Sequence, residues 1–485
     1  MTLILKCLVC LLLSMAMSVS QARTLLESKN GDNQSDANKP VSNAQQTGAD
    51  SRQHLSGDLT AIPPLPDTSS LVRRTAATAG APDAASASVS PMSCGAAGDG
   101  TTNDLTAVVN AATHAFDHGL PLDGGGHEYA VSGDIIISNK VRPYIKRLRL
   151  KQLDPKTGRV TLSFNNCQQV HIDSLQIHVG ALKNYGSFHD TFGLQVLGGS
   201  GHRVSNVNLT GNGKLTYLHI YQCKDSTFEN PYIYDGEFED FEVAPEGHLV
   251  PDDVVQGIRL GDNTNVNLIN PIVTNLLGNA TYFTQSGFVP GNYKASTIRH
   301  FPNLRTRGIC GGGNDGVTIV NPRVTNVDQG IDFSGNGGNW GNKHITVIGG
   351  HTINCASVGL KFASAQTRNK VIGHVAENCG MYGYQIGGYS SIFKQTDVEL
   401  IGCTALNPGY NDIACDGGDV DSPDYIPALF TGFHVYEEHT GGIDGVRFVD
   451  CRAIDRQGFH LRGDDPWDAG NPTATWPGAG ATTAY

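Results

Sequence analysis

Nine short segments place side chains able to hold charge and move protons at matching positions. Gln195, His219, Arg259, Cys310, Asp332, Lys361, Gln385, His434 and His460 each stand third in a four-residue pattern, such as Gly257-Ile258-Arg259-Leu260 or Gly432-Phe433-His434-Val435. The next outward position adds Tyr221, Tyr436 and Arg462. This set fits β-elimination on a uronate polymer, which needs a base for the proton beside the carboxylate and a cation to stabilise the enolate. His219 is the expected base, Arg259 the neutralising cation and Tyr221 the proton donor. Gln195, Lys361, Gln385, His434, Tyr436, His460 and Arg462 are expected to bind the polymer.

Hydrolysis is the alternative chemistry. A glycosidase uses two carboxyl groups, roughly 5 Å apart for retention or about 6.5–9.5 Å apart for inversion. Asp332 paired with Asp235, Glu237, Asp252 or Asp253 would supply them. The same four acidic residues, in a segment that also holds His248, form a candidate Ca2+ site, because calcium needs several converging oxygen ligands. No EF-hand or nonapeptide calcium spacing accompanies them.

A column of this kind requires strands stacked in register. The segments begin at residues 193, 217, 257, 308, 330, 359, 383, 432 and 458, so most successive starts are 22–29 residues apart and the rest 40–51. A basic unit of that length, sometimes lengthened by an insertion, marks a solenoid. A second strand type follows within the unit, as in Val266-Asn267-Leu268-Ile269-Asn270-Pro271 and Val446-Arg447-Phe448-Val449-Asp450-Cys451. β-Branched alternation between Asn, Gly and Asp corners specifies strands rather than helices. The fold class expected is all-β, a single-stranded right-handed parallel β-helix. Within each strand the second and fourth residues point inward and the third outward, one coil about 4.8 Å from the next. Insertions over about 235–256, 276–306 and 407–431, with a shorter one over 180–192, each precede a Gly-initiated strand. They should form walls along one corner, beside the polar column, and a long groove of this kind suits a polymer.

Residues 1–22 read as a signal peptide, with Lys6 flanking an apolar run and Ser20-Gln21-Ala22 before the expected cleavage point. Residues 23–92 are Ser-, Ala-, Asn- and Pro-rich and read as a disordered linker or pro-region, 93–470 as the β-helix and 471–485 as a flexible tail. Secretion to an extracellular or periplasmic space follows, with no membrane span. The net charge of −12 argues against a nucleic-acid partner. Nine of the eleven cysteines lie beyond residue 22, too few to be the main scaffold of so long a chain. Cys355 with Cys379, and Cys403 with Cys451, occupy matching places in neighbouring units, as bridges or as a ladder of buried thiols. Oligomeric state is not specified by these patterns.

The stretch Cys94-Gly95-Ala96-Ala97-Gly98-Asp99-Gly100-Thr101-Thr102-Asn103-Asp104, followed by Ala107-Val108-Val109-Asn110-Ala111-Ala112, resembles the opening of the pectate-lyase-like β-helix superfamily. In that superfamily a Gly-Asp-Gly turn leads into a short helix that caps the solenoid. The resemblance implies the fold, and it implies a polysaccharide as partner, while lyases, hydrolases, epimerases and phage tailspikes all share it. The polygalacturonase-like branch shows Asn-Thr-Asp, Asp-Asp and a later Arg-Ile-Lys; this sequence has Asp252-Asp253, but in a loop, and no Arg-Ile-Lys, and the Asp-Pro-His of the alginate-epimerase branch is also absent. The expectation is therefore a secreted polysaccharide lyase, then a glycoside hydrolase, then a non-catalytic polysaccharide-binding or assembly protein.

Overall fold

The structure, a computed structural model, describes residues 87–153, 160–179, 191–212, 216–237, 255–277, 306–334, 341–355, 357–380, 382–388, 394–408, 431–437, 442–454 and 483–484. The chain divides into residues 1–64, outside that set, and Leu65–Tyr485, which carries all of the described fold. The expected signal peptide and most of the expected linker therefore lie outside the described residues, as do the four insertions apart from their first and last few residues.

The described chain is a right-handed parallel β-helix. One sheet contains ten parallel strands: Ile135–Ser138, Val160–Asn165, Phe192–Leu197, Thr216–Tyr221, Val255–Gly261, Thr306–Gly312, Gln329–Ser334, Val358–Ala363, Tyr382–Gly388 and Thr431–Glu437. The other strands form two further faces, joined into one sheet by the long bent strands Tyr144–Gln152, His171–Val179 and Arg203–Asn212. Each coil thus has three strands where the sequence suggested two. The third, for example Ile272–Leu277 or Arg323–Thr325, follows the Asn-Pro pairs that read as simple corners.

Those corners explain the abundance of Asn. Asn206, Asn230, Asn270 and Asn321 all adopt positive φ, which Asn tolerates better than most residues because its short side chain can bond locally. The amide of each later residue donates to the Oδ1 of the residue one coil before, at 3.2–3.4 Å. A second such ladder runs through Asp235, Asn275, Asn326, Asn354, Asn378 and Asn407. A third, buried in the interior, joins Asn263, Asn314 and Asn342. A slip of one residue between coils would break every rung, so the ladders fix register, and the third also satisfies amides that are buried.

The N-terminal end is closed by the helix Leu105–Asp117, which buries Val108, Ala111, Ala112 and Ala115. Asp104 is buried and its carboxylate accepts from the Ala97 and Gly98 amides at 2.7 and 3.0 Å, which folds the Gly-Asp-Gly turn back onto the helix start. The cap begins earlier than residue 93, because Val89 already bridges to Leu122. At the other end Thr483–Ala484 pairs antiparallel with Arg452 and Ala453, so the tail expected to be free over 471–485 is tied at one point. That pairing occupies the open edge of the last strand, where unpaired backbone groups would otherwise stand exposed. Among the described residues no helix is long and apolar enough to cross a membrane.

The small residue that opens each groove strand has a steric cause. A Cβ on Gly308 would lie 2.2 Å from Val324 Cγ1 and 2.6 Å from the Gly330 carbonyl oxygen; on Gly383 it would lie 2.6 Å from Ala405 Cβ. These glycines face the lumen against the third strand of the coil. Tyr217 is the exception, and there the space is made from the opposite side by Gly236, which lies beneath its ring. Replacing Gly308 with Ala is expected to cost about 1–3 kcal/mol, as overpacked cores do. Val324→Ala should restore only part of that loss, since the backbone clash stays. Urea midpoints of the two single variants and the double variant check this.

Candidate active site

Because both the glycine and the residue after it face the lumen, the residue before the glycine emerges on the same outer face as the residue two positions after it. The groove sheet therefore carries two outward columns where alternation from the glycine suggested one. The column read from the sequence is present from Gln195 to His434, and Ser163 extends it by one strand. Ser163, Gln195, His219, Arg259, Cys310, Asp332, Lys361, Gln385 and His434 are successive register partners across the sheet. The column that the sequence reading missed includes Phe192, Arg307 and Tyr382. Each contacts a member of the first column one strand away, and their only signal was a functional residue type just before a strand-opening glycine.

His219 forms the most developed cluster. Its ring stacks on Phe192 with centroids 4.5 Å apart and an interplanar angle of 10°, and lies 5.5 Å from the Tyr221 ring. Its Nδ1 lies 3.1 Å from Gln195 Nε2, and Gln195 Oε1 in turn lies 3.0 Å from the Ser163 hydroxyl. The opposite nitrogen, Nε2, is buried without a hydrogen-bond partner. Burial, and then the Arg259 charge on the next strand, push the imidazole pKa down to about 3, so the ring is neutral at ordinary pH.

Tyr221 leans over the next coil, where Gly261 is its register partner and a Cβ would meet the ring at 2.6 Å. A side-chain hydrogen bond with Asp262, followed by burial, raises the phenol pKa and keeps it a proton donor. Three coils beyond His219, Asp332 is fully buried; Ser334 donates to its Oδ1, and Arg307 Nε stands 3.0 Å from Oδ2 as an ion pair. That contact is an ion pair rather than a hydrogen bond, since Oδ2 accepts none. Cys310, between Arg259 and Asp332, has its thiol pKa pushed up to about 11 by burial, which makes it a poor nucleophile.

Further along, the arrangement at His219 recurs in different residues. His434 stacks on Tyr382 at 4.2 Å and on Tyr436 at 5.3 Å, and Tyr436 lies over Gly387, its register partner. Lys361 and Gln385 occupy the two coils between Asp332 and His434. His460 and Arg462 lie outside the described residues.

The acidic set is divided. Asp252 and Asp253 lie outside the described residues, and Glu237 is described only as the last backbone position of the strand Tyr232–Glu237. Asp235 is not the loop residue the sequence suggested: it sits within that strand, on another sheet, at positive φ, and accepts from Asn275 Nδ2 at 2.9 Å. It terminates an Asn ladder, which accounts for an acid at that corner without a metal. Among the described residues no group of three or more His, Cys, Asp or Glu side chains is arranged to hold a metal ion.

No family model matches the chain, and no curated protein matches it. Among solved structures, endo-xylogalacturonan hydrolase from Aspergillus tubingensis is similar at 14% identity and a TM-score of 0.51, over 76% of this chain and 93% of that one. The Dettilon tailspike protein matches at 14% identity and a TM-score of 0.39, over 76% of this chain and 63% of its own. The tailspike of E. coli bacteriophage HK620, solved with a pentasaccharide, matches at 9% identity and a TM-score of 0.41, over 75% and 65%. The chain thus spans less than two thirds of either tailspike. At these identities the likeness is one of fold, the right-handed parallel β-helix.

Proposed function

We propose that the protein is a polysaccharide-active enzyme that cleaves a uronate-containing polymer by β-elimination, outside the cell that makes it. The observation that supports this most is the pairing of His219 and Arg259 as register partners on adjacent outward-facing strands, with Tyr221 two residues along. In this reading a uronate carboxylate lies against the Arg259 guanidinium. His219 Nε2 takes the C5 proton, the electron pair forms the C4–C5 double bond, and the C4–O bond breaks with the phenol of Tyr221 protonating the departing oxygen. Charge along the column supports an anionic polymer. It carries Arg259 and Lys361, and its carboxylate, Asp332, is already paired with Arg307. The groove sheet offers six strand-to-strand steps between His219 and His434, or roughly 29 Å, enough for several sugar rings. The apolar run at residues 8–19 supports export.

Hydrolysis is the second reading, and a buried carboxylate on the same face favours it; the A. tubingensis chain, similar in fold, is a hydrolase. The two part company on products. Incubation of the protein with a panel of uronate-containing and neutral polysaccharides, with and without EDTA, should give an ultraviolet-absorbing unsaturated uronate together with new reducing ends. Reducing ends without that absorbance would overturn elimination in favour of Asp332 and a second carboxyl group. Binding without any product would leave a polysaccharide-binding protein. Asp332→Asn sharpens the choice: elimination is expected to survive within about tenfold, or 1.4 kcal/mol. Hydrolysis depending on that carboxyl group would be lost.

A further inference from the structure

The usefulness of His219 depends on which ring nitrogen carries its proton, and that is set by the hydrogen bond at the other nitrogen. The Ser163 hydroxyl has one proton and two neighbours, Asn165 Oδ1 at 2.6 Å and the Gln195 amide at 3.0 Å. Two self-consistent networks fit those contacts. In one, an amide N–H of Asn165 donates to Ser163, Ser163 donates to Gln195, and the Gln195 N–H donates to His219 Nδ1; Nε2 then carries the proton. In the other, Ser163 donates to Asn165, the Gln195 N–H donates to Ser163, and the Gln195 oxygen accepts from His219 Nδ1. Gln195 is placed with Oε1 toward Ser163 and Nε2 toward His219 Nδ1, the orientation of the first network, and a half-turn of its amide exchanges the two atoms without moving the side chain, which gives the second.

The distances separate them. A contact of 2.6 Å is ordinary for O–H···O, which spans about 2.5–3.0 Å, and too short for N–H···O, which spans about 2.7–3.2 Å. The 3.0 Å from Ser163 to Gln195 and the 3.1 Å from Gln195 to Nδ1 are both ordinary for N–H···O. Only the second network gives every contact its proper length. It also leaves His219 Nε2 as a bare lone pair, buried and unpartnered. A buried lone pair without a partner calls for an explanation, and a proton taken from a ligand would supply one here.

We propose that Gln195 is a positioning residue, anchored by Ser163, whose amide oxygen holds the Nδ1–H of His219 so that Nε2 is left as the proton acceptor. This rests on the elimination reading for its chemical consequence, and it reassigns Gln195 from contact with the polymer to support of the base. Stacking on Phe192 holds the ring plane. The titratable and charged groups facing the ring from described elements are Arg259 on the following strand and Tyr221 on its own, the latter bonded to Asp262.

The test is the tautomer itself, read by two-bond nitrogen–proton correlation on the full chain with 15N-labelled histidine, His219 being assigned by loss of its signals in His219→Gln. At neutral pH the bare nitrogen is expected to be Nε2; finding the proton on Nε2 would overturn the proposal. Gln195→Glu keeps an acceptor at Nδ1 and adds a negative charge, so the midpoint of His219 protonation should rise by at least about one pH unit. An unmoved midpoint would equally overturn it. In Gln195→Leu, kcat should fall at least roughly tenfold with KM nearly unchanged, as when a base is left in the wrong tautomer. A raised KM with kcat and tautomer intact would mean that Gln195 only contacts substrate, against the proposal. The tautomer can be read whether or not a polymer is cleaved, so failure of the elimination reading is distinguishable from failure of this one.

Discussion

Replacing His219 with Ala is expected to lower the rate of elimination by roughly 10²–10⁴-fold, the range contributed by a positioned general base. Arg259→Ala should cost about 10²–10³-fold, because it removes the charge opposite the developing enolate. If the two act on one transition state, the double variant should fall well short of the product of the single losses. An apo-state pKa of about 3 is low for a base, and its causes indicate what changes on binding. A substrate carboxylate beside Arg259 offsets the cation that disfavours imidazolium, and negative charge growing on the enolate raises the proton affinity of Nε2 further. The acid limb of kcat/KM, which reports the free enzyme, should therefore lie far below pH 6.5. Initial rates of ultraviolet absorbance across pH check both points. A limb near the ordinary histidine value, or His219→Ala at full rate, would remove His219 from the chemistry.

The repeat made the fold readable. A β-helix stacks equivalent residues, so one recurring pattern, such as Gly330-Ile331-Asp332-Phe333, carries register, inward side and outward side at once. The third strand of each coil was harder to see. Arg323–Thr325 and His351–Ile353 are only three residues long and follow directly on a turn, too short for an alternation to register. The stacked cysteines were visible for the same reason as the column: Gly380 donates to the Cys355 carbonyl and Arg452 to that of Cys403, one coil apart, and all four thiols are buried and free.

The site was legible only where alternation holds. Counting outward positions from the glycine gives Arg259 and Asp332 correctly, yet it assigns Arg307 to the lumen. The two inward residues in succession at Gly308-Ile309 reverse the sense of the alternation for everything before them. Phe192 and Tyr382 were missed through the same local feature, although they provide the faces on which His219 and His434 stack. Asp235 failed for a different reason. Its acidic neighbours made it look like part of a ligand cluster, whereas its left-handed backbone puts it on a corner ladder with Asn275. Composition reports how many acids are near in sequence; only the backbone reports which way each one turns.

The second large effect expected is acid lability arising in the lumen, at His374. This residue is fully buried, with Nδ1 3.1 Å from the Tyr384 hydroxyl and Nε2 unpartnered, and burial pushes its pKa down to about 3. In the unfolded chain the imidazole takes up a proton near pH 6.5, so between about pH 6.5 and 3 the unfolded state binds one proton more than the folded state. Stability then rises with pH across that window and falls as the pH is lowered through it, by about 1.4 kcal/mol per unit and roughly 4–5 kcal/mol in all. His219, lowered to about 3 for a similar reason, adds a term of the same sign, and so in direction do His171 and His202. Below about pH 3 both states are protonated and the loss levels off. His374→Leu removes one of these protons while leaving the Tyr384 hydroxyl its 2.6 Å bond to the backbone oxygen of residue 374. The urea-unfolding free energy, followed from neutral pH down to about pH 4, should therefore decline less steeply in the variant, by about one proton's worth. Equal slopes in the two proteins would mean that His374 is protonated within the folded lumen and that acid enters the structure there without unfolding it.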